Sequence, residues 1–142
     1  MHTKPGGPWL FSRIVGFAIP YTGSMRAVVQ DVRPGFARVE LRDRRAVRNH
    51  LNSIHAIALT NIGEFTGGLA MTASASPDVR AILTRLEVEF LKKARGTVTA
   101  ECKTEVPRVK EPIDHIVHTS VLDSTGDVVA RVTATWRLSL VR

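Results

Sequence analysis

One carboxylate stands out by its surroundings. Glu64 lies in a run whose apolar residues Ile54, Ala58, Ile62, Phe65 and Leu69 fall at the spacing of a helix face. Ile57, Leu59 and Met71 fill in around that face. Asn61, Glu64 and Gly68 follow at i, i+3 and i+7, so the exceptions to this apolar surface share one stripe. A carboxyl group in such a setting resists ionisation, and a raised pKa suits a general base near neutral pH. The plainer alternative is that Glu64 pairs with an arginine or sits at a wet edge of the helix. Other reactive types are sparse. His115 and His118 are three apart in a β-like run, so they face opposite sides and cannot chelate one metal together. No further Cys/His cluster gives a zinc pattern. Cys102 alternates with core-facing positions and reads as packing. There is no glycine-rich phosphate loop and no Gly-x-Ser-x-Gly turn, and no cofactor is expected.

The helix that carries Glu64 should run from Ser53 to about Thr72, with the Ser53 hydroxyl as N-cap. It is apolar nearly all round, which implies burial on most sides. Gly67 and Gly68 each cost about 1 kcal/mol of helix propensity, so something should pack closely there. Upstream, residues 25–32 and 36–42 are β-like and flank the turn Arg33-Pro34-Gly35, giving a first hairpin. Before them, residues 9–19 suit a short helix closed by Pro20. Downstream of Ser76-Pro77-Asp78 the period changes to two. Leu86, Val88 and Phe90 form one alternating run, Val98, Ala100 and Cys102 another, and residues 115–122 a third. After the loop at residues 123–127, Val128, Ala130, Val132, Ala134, Trp136, Leu138 and Leu140 mark one face of a final strand. At ~3.3 Å per residue that strand is about 40 Å long, which suits a strongly curved sheet. A helix with several apolar sides must be surrounded, and one antiparallel sheet of five to six strands curling about it would do so.

The totals fit this picture. At 142 residues the chain is read as a single domain, residues 1–142, large enough for a core without staples. A lone cysteine excludes an internal disulfide and points to a reducing, cytoplasmic setting. No stretch approaches the ~18 apolar residues of a membrane span, and the N-terminus lacks the order of a signal peptide. The net charge of +7 is scattered, apart from Arg42, Arg44, Arg45 and Arg48 and a second group of Lys92, Lys93 and Arg95. Without a nucleic-acid motif or interleaved aromatics, nucleic acid is not an expected partner.

Several intervals bear a family resemblance. Asn49 stands six residues before His55, and Glu64 stands nine after it. Phe90-Leu91-Lys92-Lys93-Ala94-Arg95-Gly96 is similar to an aromatic-Leu-x-Pro-Ala-x-Gly run at a strand end, and Val121-Leu122-Asp123 through Gly126 to Val129-Ala130 resembles a closing hairpin. Over residues 26–138 the chain resembles the hotdog superfamily, specifically small acyl-CoA thioesterases of the phenylacetate-pathway type. Within that group it is most similar to a less characterised branch catalogued as a domain of unknown function. The two glycines that follow the histidine in the family are here Ala56 and Ile57, and the proline of the later run is Lys93.

The resemblance implies an α+β hotdog fold and a site assembled between subunits of a homodimer or a dimer of dimers. It also implies acyl-CoA or another acyl thioester as substrate. Glu64 would be the base or nucleophile, and Asn49 would orient the water or the thioester carbonyl. The backbone amides of Ala56 and Ile57, at the positive end of the helix, would hold the developing oxyanion. His55 is read either as catalytic or as a residue at the helix start bonded to backbone. Asn61 and Gly68 would line the substrate, Thr84 would lie near a strand position that bears Ser or Thr in some relatives, and Lys93 and Arg95 would meet CoA phosphates. Two other activities compete: a non-catalytic acyl-ligand binding module, and a hydratase. The hydratase reading lacks its Asp-x4-His pair at the helix start.

Overall fold

The computed structural model describes residues 19–141. A short helical turn, α1 (Pro20–Gly23), leads into a hairpin of β1 (Val28–Arg33) and β2 (Phe36–Leu41). A single 3-10 turn at Arg45–Val47 precedes the long helix α2 (Ala56–Ser74). Four strands follow: β3 (Val79–Phe90), β4 (Val98–Lys103), β5 (Ile113–Leu122) and β6 (Val128–Leu140). All six strands join one antiparallel sheet in the order β1-β2-β4-β5-β6-β3. The strand that follows α2 therefore lies at the opposite edge from the first hairpin. The helix packs across one sheet face against β2, β4, β5 and β6, and only marginally against β3. This is the hotdog arrangement. No described helix is long and apolar enough to cross a membrane.

Burial of α2 explains its composition. Ala58, Leu59, Ile62 and Phe65 pack with Val39, Leu41, Val98, Ala100, Val121 and Ala130 in one half of the core. Ala70 and Met71 pack with Ala37, Cys102, Val117 and Leu138 in the other. Two glycines let the helix approach this closely. A methyl group on Gly63 would overlap the Val132 side chain, and one on Gly67 would sit 2.9 Å from Thr119 Oγ1 and 3.1 Å from Val117 Cγ1. Gly68, expected to be crowded with Gly67, has only Trp136 at an ordinary 3.6 Å.

Boundaries differ from the sequence reading where local geometry breaks the pattern. The helix begins at Ala56, and its cap is His55, whose Nδ1 accepts from the Ile57 amide at 3.0 Å. Ser53 is not the cap: it is buried three residues earlier, where Ile54 bridges Arg48 and donates to the Ala94 carbonyl. Strand β3 starts seven residues before Leu86 because a bulge between Leu83 and Arg85 resets its alternation. Val79, Ala81 and Leu83 then share a face with Leu86, Val88 and Phe90, although odd and even numbers suggest otherwise. A second irregularity between Val121 and Leu122 makes Val129, rather than Val128, the fully buried first residue of β6. The helix expected at residues 9–19 lies, but for Ile19, outside the described residues.

Candidate functional site

The stripe on α2 is where the helix is left incompletely covered. Asn61, Glu64 and Gly68 are each partly buried, between flanks that the sheet covers fully, and Ile57 at the head of the same stripe is 54% exposed. Among the described residues no hydrogen bond or ion pair reaches the Glu64 carboxylate, although the chain carries a large excess of arginine and lysine. Burial among apolar groups pushes its pKa above the usual glutamate range. Asn61 Nδ2 donates to Thr22 Oγ1 of α1 at 3.2 Å, while its Oδ1 is buried with no partner among the described residues. Trp136, on the inward face of β6, lies over Gly68, and its Nε1–H is likewise buried without a partner. An acceptor, a carboxyl group and a donor thus follow one another along the stripe.

The start of the helix is built by backbone bonding. Asn49 Oδ1 accepts from the Leu51 and Ser53 amides, closing the loop that leads into α2. Asn52 in that loop has a φ of +58°, a conformation asparagine tolerates. His55 donates its amide to the Val47 carbonyl and caps the helix with its ring. Because the Ile57 N–H is engaged by His55, Ala56 keeps the freer amide of the two expected to hold an oxyanion. The bond between Ile54 N and Ala94 O places Lys93 and Arg95, both exposed, beside the helix start. Asp43 joins the same corner: its carboxylate accepts from the Arg48 guanidinium and the Gly96 amide, which hold it below the usual aspartate range.

Other residues lie apart. Lys92 is committed to Asp123 and Asp127, both at 2.8 Å, and clamps the closing hairpin. Thr84 occupies the β3 bulge, exposed, and donates to the Thr135 carbonyl, on an edge that α2 scarcely touches. His115 and His118 point to opposite faces, to Thr104 and Thr133 respectively. Cys102 is buried in the core. The structure therefore groups Asn61, Glu64 and Gly68 with Trp136, and separately groups Asn49, His55, Ala56, Ile57, Lys93 and Arg95. Sequence reasoning passed over Trp136 and Thr22. Strand alternation says only that Trp136 faces inward, and nothing local announces that it meets Gly68.

The family profile described as a domain of unknown function, DUF4442, matches residues 7–138. No curated protein matches the chain in sequence. A structural-genomics crystal structure is 32% identical, covers 94% of this chain and 90% of its own, and superposes with a TM-score of 0.85. A Pseudomonas aeruginosa protein of unknown function, described as a probable thioesterase, is 19% identical with 99% of both chains covered and a TM-score of 0.83. A Staphylococcus aureus thioesterase enzyme, solved as a mutant, is 13% identical, with 84% of this chain and 98% of its own covered and a TM-score of 0.74. The last two likenesses establish the shared fold. With its fold and its sequence profile in agreement, the chain belongs to the DUF4442 family and has the hotdog fold.

Proposed function

We propose that the protein hydrolyses acyl thioesters, with Glu64 acting on the substrate as general base or nucleophile. The observation that carries this reading is the partly buried Glu64 carboxylate, without a partner among the described residues, on the open stripe of an otherwise apolar helix. As a base, Glu64 takes a proton from water while the water oxygen bonds to the thioester carbonyl carbon. The carbonyl electrons move to oxygen, and the resulting oxyanion is held by backbone N–H at a helix start. Collapse of this intermediate breaks the C–S bond, and the thiolate leaves with the proton that Glu64 held. As a nucleophile, Glu64 would form an anhydride that water then opens. A thiolate is a good leaving group, so no strong acid is required.

Helix geometry bears on assembly. Ala56 and Glu64 are eight residues apart, roughly 12 Å along the axis, too far for both to act on one carbonyl carbon. The reading therefore has two copies of the chain, the helix start of one facing Glu64 of the other. The apolar, inward-facing Leu86 and Phe90 of β3, 38% and 51% exposed, supply a surface for such pairing. In this arrangement Asn49 borders the carbonyl, Asn61 and Gly68 line the acyl group, and Lys93 and Arg95 meet the phosphates of CoA. Thr84 on the β3 edge would face the same subunit boundary.

The test is thiol release from a panel of acyl-CoAs, with Glu64→Gln as the control. Turnover that disappears in the folded variant supports the reading, and unchanged turnover in Glu64→Gln removes it. One observation favours a second reading, binding without turnover: the Ile57 amide at the helix start is taken by the His55 ring. Saturable stabilisation by acyl ligands, with no thiol released from any, would select that alternative.

A further inference from the structure

The positive charge of the chain is not spread evenly over the molecule. Residues 42–57 and 93–97 hold six cations, Arg42, Arg44, Arg45, Arg48, Lys93 and Arg95, against one carboxylate, Asp43. Five of the chain's seven net charges therefore fall in these two stretches. The fold brings them to one corner. Leu41 pairs with Val98, the Gly96 amide donates to Asp43 Oδ2 at 2.9 Å, and the Ile54 amide donates to the Ala94 carbonyl at 2.7 Å. Asp43 is already taken by Arg48 at 2.6 Å, and Arg42, 77% exposed, reaches Glu40 only at 3.8 Å. Among the described residues no carboxylate pairs with Arg44, Arg45, Lys93 or Arg95. Two leucines stand exposed beside these cations in the chain, Leu51 at 49% and Leu91 at 42%. Exposed apolar side chains rimmed by charge mark a surface that a protein partner covers.

We propose that this corner docks a small acidic protein that carries the acyl group as a thioester on a flexible, phosphate-bearing arm. The proposal rests on the thioester reading and names the partner that delivers its substrate. The corner surrounds the helix start, where that reading holds the thioester carbonyl, so a protein seated there roots its arm at the mouth of the site. Free CoA presents its phosphates in one group at its nucleotide end, and Lys93 and Arg95 beside the helix start suffice to meet them. Among the described residues Arg42, Arg44 and Arg45 then face no anion but the distant Glu40, and Leu51 and Leu91 stay in water. An acidic helical surface supplies what is missing: carboxylates for the arginines and apolar side chains for the leucines. The phosphate of its arm falls to Lys93 and Arg95. Opposite charges of this kind speed encounter and make it sensitive to salt.

The experiment measures thiol release from one acyl group, octanoyl, on three carriers: uncharged pantetheine, CoA, and an acidic acyl carrier protein. Wild type is compared with the double variant Arg42→Glu/Arg45→Glu, and folding is checked by circular dichroism. In the variant the ratio of kcat/KM for the carrier-protein thioester to that for octanoyl-CoA should fall at least fivefold. For the wild type, kcat/KM on the carrier protein should fall at least tenfold between about 20 and about 300 mM salt, and by less than twofold on octanoyl-pantetheine. If the reversed variant does not fold, Arg42→Gln/Arg45→Gln takes its place, with at least a threefold fall expected. A smaller fall in the folded variant, or turnover of octanoyl-CoA without turnover of the carrier-protein thioester, overturns the docking proposal and leaves the hydrolase reading standing. If none of the three thioesters releases thiol, the hydrolase reading fails, and binding of the octanoyl carrier protein is followed by fluorescence anisotropy. Saturable binding that the double variant weakens at least fivefold keeps the docking surface, and no binding removes it. A short DNA duplex that binds more tightly than the carrier protein at equal salt also overturns the proposal.

Discussion

Glu64 is a residue the fold keeps at some cost. Its pKa is raised by burial, so the folded chain binds its proton more tightly than the unfolded chain does. Its contribution to stability is thus complete below the ordinary glutamate pKa and is lost as pH rises through the higher folded value. Glu64→Gln should raise Tm by a few degrees at pH 7.5 and leave it unchanged near pH 3, while thiol release falls by at least ~10²-fold. Thermal melts at the two pH values, run beside the activity assay, check both parts. The rate of the wild type should rise with pH across a range above that of an ordinary carboxylate. His55 makes a separate prediction. Because its ring caps α2, His55→Ala should cost about 1 kcal/mol in urea unfolding, and His55→Asn should restore most of it. Equal losses in both variants would remove the capping account.

At the scale of elements, the glycines of α2 and the closing hairpin carry distinct loads. Gly63→Ala gains helix propensity but drives a methyl group into Val132, so a net loss of about 1–3 kcal/mol is expected. Gly68→Ala meets Trp136 at 3.6 Å, an ordinary contact, and should stabilise by about 0.5–1 kcal/mol. Unfolding curves of the two variants should therefore move in opposite directions. In the β5–β6 hairpin, Lys92, first, and the Thr125 hydroxyl, next, hold Asp123 well below the usual aspartate range. Its stabilising contribution is present above the unfolded aspartate pKa and disappears as pH falls through the folded value. Lys92→Met should accordingly lower Tm at neutral pH, with the difference closing in strong acid. The charge pattern of the sequence groups Lys92 with Lys93 and Arg95, but two carboxylates already occupy it.

At the scale of the molecule, the sheet is closed on one face by α2 and left open along β3. Among the described residues that edge strand, twelve residues long, pairs only with β6, and it presents Leu86 and Phe90 on the inward face that the helix scarcely touches. A long apolar edge is a template for pairing with another chain. The protein is expected to sediment as a dimer or a larger even assembly, and Leu86→Glu with Phe90→Glu should shift it toward monomer. Loss of thiol release together with the assembly would fit a site shared between copies. Retained turnover in a monomer would contradict it.

Much of this fold was legible along the chain. The 3.6-residue apolar period of α2, the turn chemistry at Pro34-Gly35, and the alternation of β6 from Ala130 onward are local signals that burial rewards directly. The setting of Glu64 was legible too, because a carboxylate on an apolar helix face is anomalous in any tertiary setting. What the chain could not announce depended on partners far away in sequence. The Leu83/Arg85 bulge answers to β6, so the first half of β3 was hidden. The cap passed from Ser53 to His55 because the segment before the helix is drawn into a bridge: Ile54 donates to the Ala94 carbonyl, Ser53 accepts from the Asn49 amide and His55 donates to the Val47 carbonyl. Trp136 came to lie over Gly68 only through the register of the final strand against the helix, an arrangement set by packing rather than by any local spacing.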